Sequence, residues 1–240
     1  MSKDKKRSTK NIEEFKCAFE DDSPFILKEA FKALRTNVTF SLVGSSSKCI
    51  GVASAERSDG KSTVLLNLAI SYAQLGKKVI LLDCDLRRPS IAKNLKIKSV
   101  PGLSDVIVGE ETMENAIQTI KQYKLDVLPS GSIPPDATRL LESKQMEVMF
   151  QILKKYYDYV FVDLPPTTVV ADSSIISKNL DGYIVVVRHG KSEYRRINDV
   201  INQLKMVDAK ILGFVYNDAP VATKKGYGYY KYGYGYGYYK

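Results

Sequence analysis

The sequence predicts an α/β fold in which a doubly wound, mainly parallel sheet is flanked by helices. Three observations support this prediction. Short apolar runs alternate with helical patterns along the chain, the apolar runs are continuous, and 240 residues suffice for one large domain. Continuous apolar runs are typical of strands that are covered on both faces, as the strands of parallel sheets are.

The first predicted helix spans residues 24–41 and follows a polar, basic segment, residues 1–22, that we expect to be flexible. Ser23 and Pro24 suit the N-cap and the first helical position. Apolar residues then recur at helical spacing, at Phe25, Leu27, Phe31, Leu34 and Val38. Residues 23–220 form the predicted globular domain.

Strands and helices then alternate. The predicted strands are Cys49–Ala53, Val79–Leu82, Leu125–Leu128, Tyr159–Val162, Tyr183–Val187 and Ile211–Val215. The predicted helices between them cover about 62–75, 138–156, 169–179 and 192–207. This rhythm is typical of βαβ units, in which helices connect parallel strands.

The charge distribution argues against a nucleic-acid-binding protein. The net charge is +9, but residues 1–10 and 221–240 contribute +4 each, which leaves +1 for residues 11–220. No apolar run is long enough to cross a bilayer, so we expect a cytoplasmic protein that reaches a membrane only through a partner or its charge. Three cysteines without CxxC spacing and one histidine argue against a zinc site.

A loop with phosphate-binding character follows the first predicted strand. It has the sequence Ala55-Glu56-Arg57-Ser58-Asp59-Gly60-Lys61-Ser62-Thr63, a Walker A loop with Ala55 where the pattern has glycine. Such a loop points backbone N–H groups at phosphate oxygens, and the helix that follows adds its positive dipole end. We expect Lys61 to contact the β- and γ-phosphates and the Ser62 hydroxyl to bind Mg²⁺.

Acidic residues end two further predicted strands. Asp83, Asp85 and Arg87 follow Val79–Leu82, and Asp163 follows Tyr159–Val162 as in a Walker B motif. An Asp-x-Asp pair at a strand end more often makes a turn, but beside a Walker A loop a ligand-binding role is favoured. The three signals together predict a P-loop NTPase that binds Mg-ATP.

The last segment, residues 221–240, is predicted to be a disordered, accessible tail. From Gly226 onwards it contains only glycine, tyrosine and lysine, which cannot build a core. Eight of the sixteen tyrosines lie in it: Tyr227, Tyr229, Tyr230, Tyr232, Tyr234, Tyr236, Tyr238 and Tyr239.

These motifs, in this order, resemble the bacterial tyrosine kinase family, in the cytoplasmic type that works with capsule or exopolysaccharide assembly in Gram-positive bacteria. The likeness runs from Ser23 to Asn217 and into the tail; its further motifs are Gly131-x-x-Pro134-Pro135, Leu140-Leu141, Asp172, Asp181-Gly182 and Gly213-x-x-x-Asn217. The resemblance implies a protein-tyrosine kinase that uses ATP and Mg²⁺ and phosphorylates its own tail. It also implies that Asp83 accepts the proton of the tyrosine hydroxyl. Asp85 would help Ser62 and Asp163 to place the metal, and Arg87 would stabilise charge or structure.

The resemblance also implies partners. Glu29-x-x-Lys32-x-x-Arg35 resembles a motif through which the family assembles a homo-oligomeric ring, although Lys32 stands in place of arginine and the three residues also suit a solvated helix face. A membrane-embedded polysaccharide co-polymerase adaptor and a cognate phosphotyrosine phosphatase are the other expected partners. Arg57-Ser58-Asp59 and Leu164 also depart from the family, which usually has Pro-Gly-Glu and threonine there.

Another class of function stays open, a nucleotide-dependent switch or scaffold like the partitioning and division-site ATPases of the same fold. Those proteins carry a second lysine five residues before the Walker lysine, and Glu56 occupies that position here. In a scaffold, the Gly-Tyr tail would be an interaction segment that associates through aromatic contacts.

Overall fold

The computed structural model describes residues 15, 17–44, 48–166 and 175–220. Its strands are β1 (Cys49–Ser54), β2 (Val79–Asp83), β3 (Gln118–Ile120), β4 (Leu125–Leu128), β5 (Tyr159–Asp163), β6 (Gly182–Arg188) and β7 (Ile211–Asn217). They form one sheet in the order β3-β4-β2-β5-β1-β6-β7, in which only the β3–β4 pair is antiparallel. The predicted mainly parallel sheet is confirmed.

The helices of the described residues connect these strands. They are α1 (Phe25–Ser41), α2 (Lys61–Ala73), α3 (Ile91–Leu95), α4 (Leu103–Val108), α5 (Met113–Ala116), α6 (Ala137–Leu141), α7 (Lys144–Tyr156) and α8 (Tyr194–Met206). Among them, none combines the length and the apolarity that a membrane span requires.

Helices cover both faces of the sheet because side chains alternate along each strand. In β5, Val160 and Val162 belong to the apolar cluster that contains Phe150 of α7. Phe161 belongs to the opposite cluster, together with Leu65 of α2. The alternation gives the doubly wound arrangement that the continuous apolar runs predict.

Three features of the chain between β2 and β5 differ from the prediction. The expected helix over 138–156 is two helices, because Ser143 begins α7 by accepting a hydrogen bond from the Met146 N–H at 3.2 Å. The short helices α3, α4 and α5 were not predicted, and neither was β3, which has only three residues and lies at the sheet edge. Elements this short show little periodicity in a sequence.

The ordered domain begins before the predicted boundary at Ser23. Cys17 and Ala18 are buried, and the Ala18 N–H donates to Asn67 Oδ1 of α2 at 2.5 Å. The Ser23 hydroxyl donates to the Cys17 carbonyl at 2.6 Å and does not cap α1, which follows Pro24 without a side-chain cap. The expectation of a flexible segment up to residue 22 is therefore wrong for Cys17 and Ala18, because their side chains join the core.

Several other predictions fall on residues outside the described ranges. They concern residues 1–14, the tail 221–240 with its eight tyrosines, and Asp172. The predicted helix over 169–179 overlaps the same gap, and its described end includes a 3₁₀ turn at Ser177–Asn179.

Candidate nucleotide-binding site

A cavity of about 300 Å³ opens at the carboxyl ends of the central strands. Strands β1, β2 and β5 are neighbours there, and the loops that follow them meet at one edge of the sheet. Seven of the nine predicted loop residues line the cavity: Glu56, Arg57, Ser58, Gly60, Lys61, Ser62 and Thr63. Ala55 and Asp59, the other two, are buried.

The loop turns sharply into α2 at Gly60, which has a φ of +89°. A side chain is strained at this φ, and a Cβ on Gly60 would lie 2.0 Å from Asn217 Nδ2. The turn directs the N-terminus of α2, a helix of 13 residues that begins at Lys61, into the cavity. Free N–H groups and the positive end of the helix dipole favour a bound anion at this point.

Lys61, Ser62 and Asp163 form the centre of the site. The Lys61 ammonium donates to Asp163 Oδ1 at 2.5 Å, and the Ser62 hydroxyl donates to Asp163 Oδ2 at 2.6 Å. Lys61 and Asp163 are both buried. The Walker A loop and the aspartate of the Walker B motif thus lie together, as predicted, and they bring a cation, a hydroxyl and a carboxylate into contact.

Asp83 and Asp85 occupy different positions. Asp83 is fully buried, and its Oδ2 accepts the N–H groups of Ser90 at 3.1 Å and Ile91 at 3.0 Å, at the start of α3. Burial and then the charge of Asp163 raise the pKa of Asp83 to about 7. Asp85 lines the cavity, accepts the Arg88 N–H at 3.0 Å, and has a pKa that burial raises.

Sequence motifs did not indicate every residue of the cavity wall. Arg88, Ser90 and Asn94 also line it. The Ser90 hydroxyl donates to the Ser62 hydroxyl at 3.0 Å, so Ser90 links Asp83 at the end of β2 to the start of α2. Only its closeness to the Asp83–Asp85 motif could have indicated it. Arg87 is exposed outside the cavity wall and donates to Thr138 Oγ1 at 2.8 Å.

The predicted ring-contact residues do not share one environment on α1. Lys32 and Glu29 form an exposed ion pair at 2.7 Å. Arg35 is half-buried and donates from Nη1 to the Ser71 carbonyl of α2 at 2.6 Å. Arg35 thus attaches α1 to its own domain, and a contact with a second copy of the chain stays a prediction.

The donor set fits magnesium bound together with phosphate. The Ser62 hydroxyl and the carboxylates of Asp85 and Asp163 offer hard oxygen ligands around one cavity. Within the described residues, no group of three or more His, Cys, Asp or Glu side chains could hold a metal ion unaided. Mg²⁺ in nucleotide sites behaves in this way, since it takes one or two protein ligands and fills the rest of its sphere with phosphate oxygens and water.

The fold and this site define a P-loop NTPase, and comparison with known proteins supports the assignment. The ParA family model, described as NUBPL iron-transfer P-loop NTPase, matches residues 45–234. The structure of the septum site-determining protein MinD with Mg-ADP, from Pyrococcus horikoshii OT3, has a TM-score of 0.60 and 25% identity, over 70% of this chain and 69% of that chain.

Two further comparisons are closer in sequence. Tyrosine-protein kinase YwqD of Bacillus subtilis (strain 168) is 37% identical over 201 residues, which cover 84% of this chain and 85% of that protein. The crystal structure of the chimerical protein CapA2B2 has a TM-score of 0.80 and 30% identity, over 85% of this chain and 88% of that chain. The chain belongs to the bacterial tyrosine kinase family of P-loop NTPases.

Proposed function

We propose that the chain is an ATP-dependent protein-tyrosine kinase that phosphorylates the tyrosine cluster of its own tail, residues 227–239. The observation that carries the proposal is the joint contact of Lys61 and Ser62 with Asp163 at the start of α2. Phosphoryl transfer depends on positioning and charge neutralisation, and this arrangement can supply both.

Each residue has a role that follows from its position. The N–H groups of the loop hold the phosphate chain, and the Lys61 ammonium, now paired with Asp163, neutralises β- and γ-phosphate oxygens. Ser62, Asp85 and Asp163 would hold Mg²⁺, which would offset the negative charge of the phosphates. Arg88 and Asn94 complete the polar wall in which a tyrosine hydroxyl reaches the γ-phosphate.

A carboxylate must take the proton of the attacking hydroxyl. The family resemblance gives this role to Asp83, whose Oδ2 is occupied by the two backbone N–H groups at the start of α3. Its Oδ1 accepts only the Asp85 N–H among the described contacts, at 3.3 Å, and so keeps a lone pair for the proton. Asp85, in the cavity wall, places the metal.

The partners belong to the same proposal. A membrane-embedded polysaccharide co-polymerase adaptor recruits the cytoplasmic kinase to the membrane surface, a phosphatase reverses its action, and the chain assembles into a ring through Glu29, Lys32 and Arg35. Each added phosphate contributes about −1.5 to −2 charges, so several phosphates reverse the +4 charge of residues 221–240. Repulsion between phosphorylated tails then disassembles the ring, which regulates capsular or exopolysaccharide synthesis.

The test is intact-mass spectrometry of the full chain after incubation with Mg-ATP and the cytoplasmic segment of the adaptor. We expect serial additions of phosphate that map to the tail. Lys61→Met should abolish them, whereas Lys77→Met, which changes an exposed lysine after α2, should leave them in place. No added phosphate on the wild-type chain, even with the adaptor segment present, would refute the kinase.

The scaffold alternative makes a different prediction for the same tail. Substitution of the eight tail tyrosines by phenylalanine removes every acceptor hydroxyl but keeps the aromatic rings. A kinase then loses its tail phosphotyrosine and its phosphate-driven disassembly. A scaffold that associates through aromatic contacts keeps a nucleotide-dependent assembly, which light scattering detects.

A further inference from the structure

Side chains from the β6–β7 side of the sheet hold the outer face of the phosphate loop. Four consecutive loop residues, 56–59, are each contacted by a different one of these side chains. Arg196 of α8 pairs with the Glu56 carboxylate at 3.2 Å. The other three side chains donate to backbone carbonyls of the loop. Lys191 donates to the carbonyl of Arg57, Arg188 to that of Ser58 at 2.7 Å, and Asn217 to that of Asp59 at 2.9 Å.

The three carbonyl contacts fix the directions of three N–H groups. In a planar trans peptide the C=O and the N–H of the next residue point in opposite directions. Carbonyls held outward at positions 57, 58 and 59 therefore turn the N–H groups of Ser58, Asp59 and Gly60 towards the cavity side. Successive N–H groups that converge in this way form an anion-binding nest.

Two of the three donors stand at the ends of strands. Arg188 ends β6 and Asn217 ends β7, and the two residues are paired in the parallel register of these strands. Arg188 is held a second time, because its guanidinium pairs with Asp218 at 2.6 Å. Asn217 also approaches the loop so closely that a Cβ at position 60 would lie 2.0 Å from its Nδ2 and would displace its side chain. The loop is thus braced from outside by the sheet edge.

The same side chains balance the unusual charge of the loop. Glu56 and Asp59 are two carboxylates beside a site for a polyanion, where they would repel phosphate. Arg196 pairs with the first, and the Lys191 ammonium lies 3.9 Å from Oδ1 of the second, a buried oxygen with no hydrogen bond within 3.5 Å. The acidic loop remains compatible with a phosphate ligand because these cations compensate it.

We propose that Arg188, Lys191 and Asn217 are positioning residues that preset the loop N–H groups for the phosphate chain. We call these three residues the loop clamp. The proposal rests on the proposed binding of Mg-ATP and adds that the clamp acts on the phosphates alone. It determines the affinity for the phosphate chain and affects neither recognition of the base nor the chemical step.

The test compares three ligands on the full chain and on Asn217→Ala and Arg188→Ala. Titrations measure the affinity for Mg-ATP, for Mg-pyrophosphate as the phosphate-only probe, and for adenosine as the base-only probe. We expect both variants to lose about tenfold in affinity for the first two ligands, the size of one lost hydrogen bond to an oriented group. Adenosine binding and the phosphorylation rate at saturating ATP should stay within twofold of wild type.

The matched control is Arg195→Ala on α8, an exposed arginine for which the described residues offer no ion pair. It should match the wild-type chain in every titration. Unchanged pyrophosphate affinity in the clamp variants would overturn the proposal, and if ATP affinity fell alone, Asn217 would contact the base instead. Failure of the wild-type chain to bind either phosphate ligand would overturn the proposed function as well.

Thermal unfolding without nucleotide separates positioning from a loss of fold. Both variants should unfold within a few degrees of wild type, because the clamp donors lie at the end of the sheet. If Arg188→Ala does not fold, two other variants replace it in the titrations. They are Arg188→Lys, which keeps one charged donor, and Lys191→Met. Arg188→Lys should recover most of the pyrophosphate affinity, and Lys191→Met should lose it; a reversed order would overturn the proposal.

Discussion

Strands β2 and β5 end alike in sequence but differently in structure. Each is a buried apolar run that ends in aspartate, and the two aspartates, Asp83 and Asp163, lie side by side in the parallel register. Both are fully buried. Asp163 accepts hydrogen bonds from the side chains of Lys61 and Ser62, whereas Asp83 accepts backbone N–H groups.

The contacts of each aspartate therefore depend on the residues that surround the strand end, and not on the sequence of the strand itself. At Asp163 a full positive charge 2.5 Å away compensates the carboxylate. At Asp83 the nearest compensating groups are backbone N–H groups, with the Lys61 charge acting from farther away, and burial with the nearby charge of Asp163 raises its pKa to about 7. The Asp163 carboxylate is therefore paired with a side-chain cation, whereas the Asp83 carboxyl group is held by backbone N–H groups.

The largest expected effect comes from removing the cation. Lys61→Met leaves the buried Asp163 carboxylate without its compensating charge, so we expect the free energy of unfolding of the nucleotide-free chain to fall by about 3–5 kcal/mol. Urea unfolding followed by circular dichroism measures it. A second substitution, Asp163→Asn, in the same chain should restore more than half of the loss.

Lys77→Met is the control for this prediction, because Lys77 is exposed beyond α2 and its substitution should change stability by less than about 0.5 kcal/mol. If Lys61→Met lowers the free energy of unfolding no more than this control does, the charge on Asp163 has another source of compensation. The contrast between the two strand ends would then be lost.

A direct comparison of the two aspartates should give a smaller effect. Asp163→Asn leaves the Lys61 ammonium unpaired, but Lys61 lines the cavity and can be hydrated there, so we expect a loss of about 1–3 kcal/mol. In Asp83→Asn the amide oxygen still accepts both N–H groups at the start of α3, and one of two like charges is gone. Its stability should stay within about 1 kcal/mol of wild type.

The same urea unfolding assay measures both variants, each beside wild type in one buffer. Equal losses from Asp83→Asn and Asp163→Asn would contradict the distinction. A larger loss of free energy of unfolding in Asp83→Asn than in Asp163→Asn would reverse the distinction. It would mean that the negative charge at Asp83 is needed to hold the start of α3.

The sequence predicts the central part of this site well for a simple reason. Strand ends of a parallel sheet meet at one edge, so the motifs after β1 and β5 must come together, as Lys61 and Asp163 do. The sequence does not show which aspartate obtains the cation, since both follow the same apolar pattern. That outcome depends on the side-chain direction of Lys61 and on the backbone of residues 90–91, which no pattern encodes.

Other parts could not be predicted because they depend on contacts distant in sequence. The clamp donors follow the loop by 130 residues or more and reach it only because β6 and β7 lie beside β1 in the sheet. The helices α3, α4 and α5 have only four to six residues, too few for helical periodicity to appear. The burial of Cys17 and Ala18 could not be predicted because it depends on packing against the distant helix α2, where the Ala18 N–H donates to Asn67.

Ser90 provides the smallest and most selective test, because it contacts Asp83 directly and Asp163 only through Ser62. Its N–H donates to Asp83 and its hydroxyl to Ser62, the residue that contacts Asp163. Ser90→Ala removes only the hydroxyl, so we expect a loss of about 0.5–1.5 kcal/mol in the free energy of unfolding, additive with Asp83→Asn. Ser41→Ala removes a hydroxyl that donates to the Asn37 carbonyl of α1 at 2.9 Å and reaches the Leu212 carbonyl only at 3.5 Å, so it should lower the free energy of unfolding less. Ser90→Ala could instead lower the free energy of unfolding as much as Asp163→Asn does, or depart clearly from additivity with Asp83→Asn. Either result would mean that the Ser90 hydroxyl couples the two strand ends, so that the two aspartates could no longer be treated as separate sites.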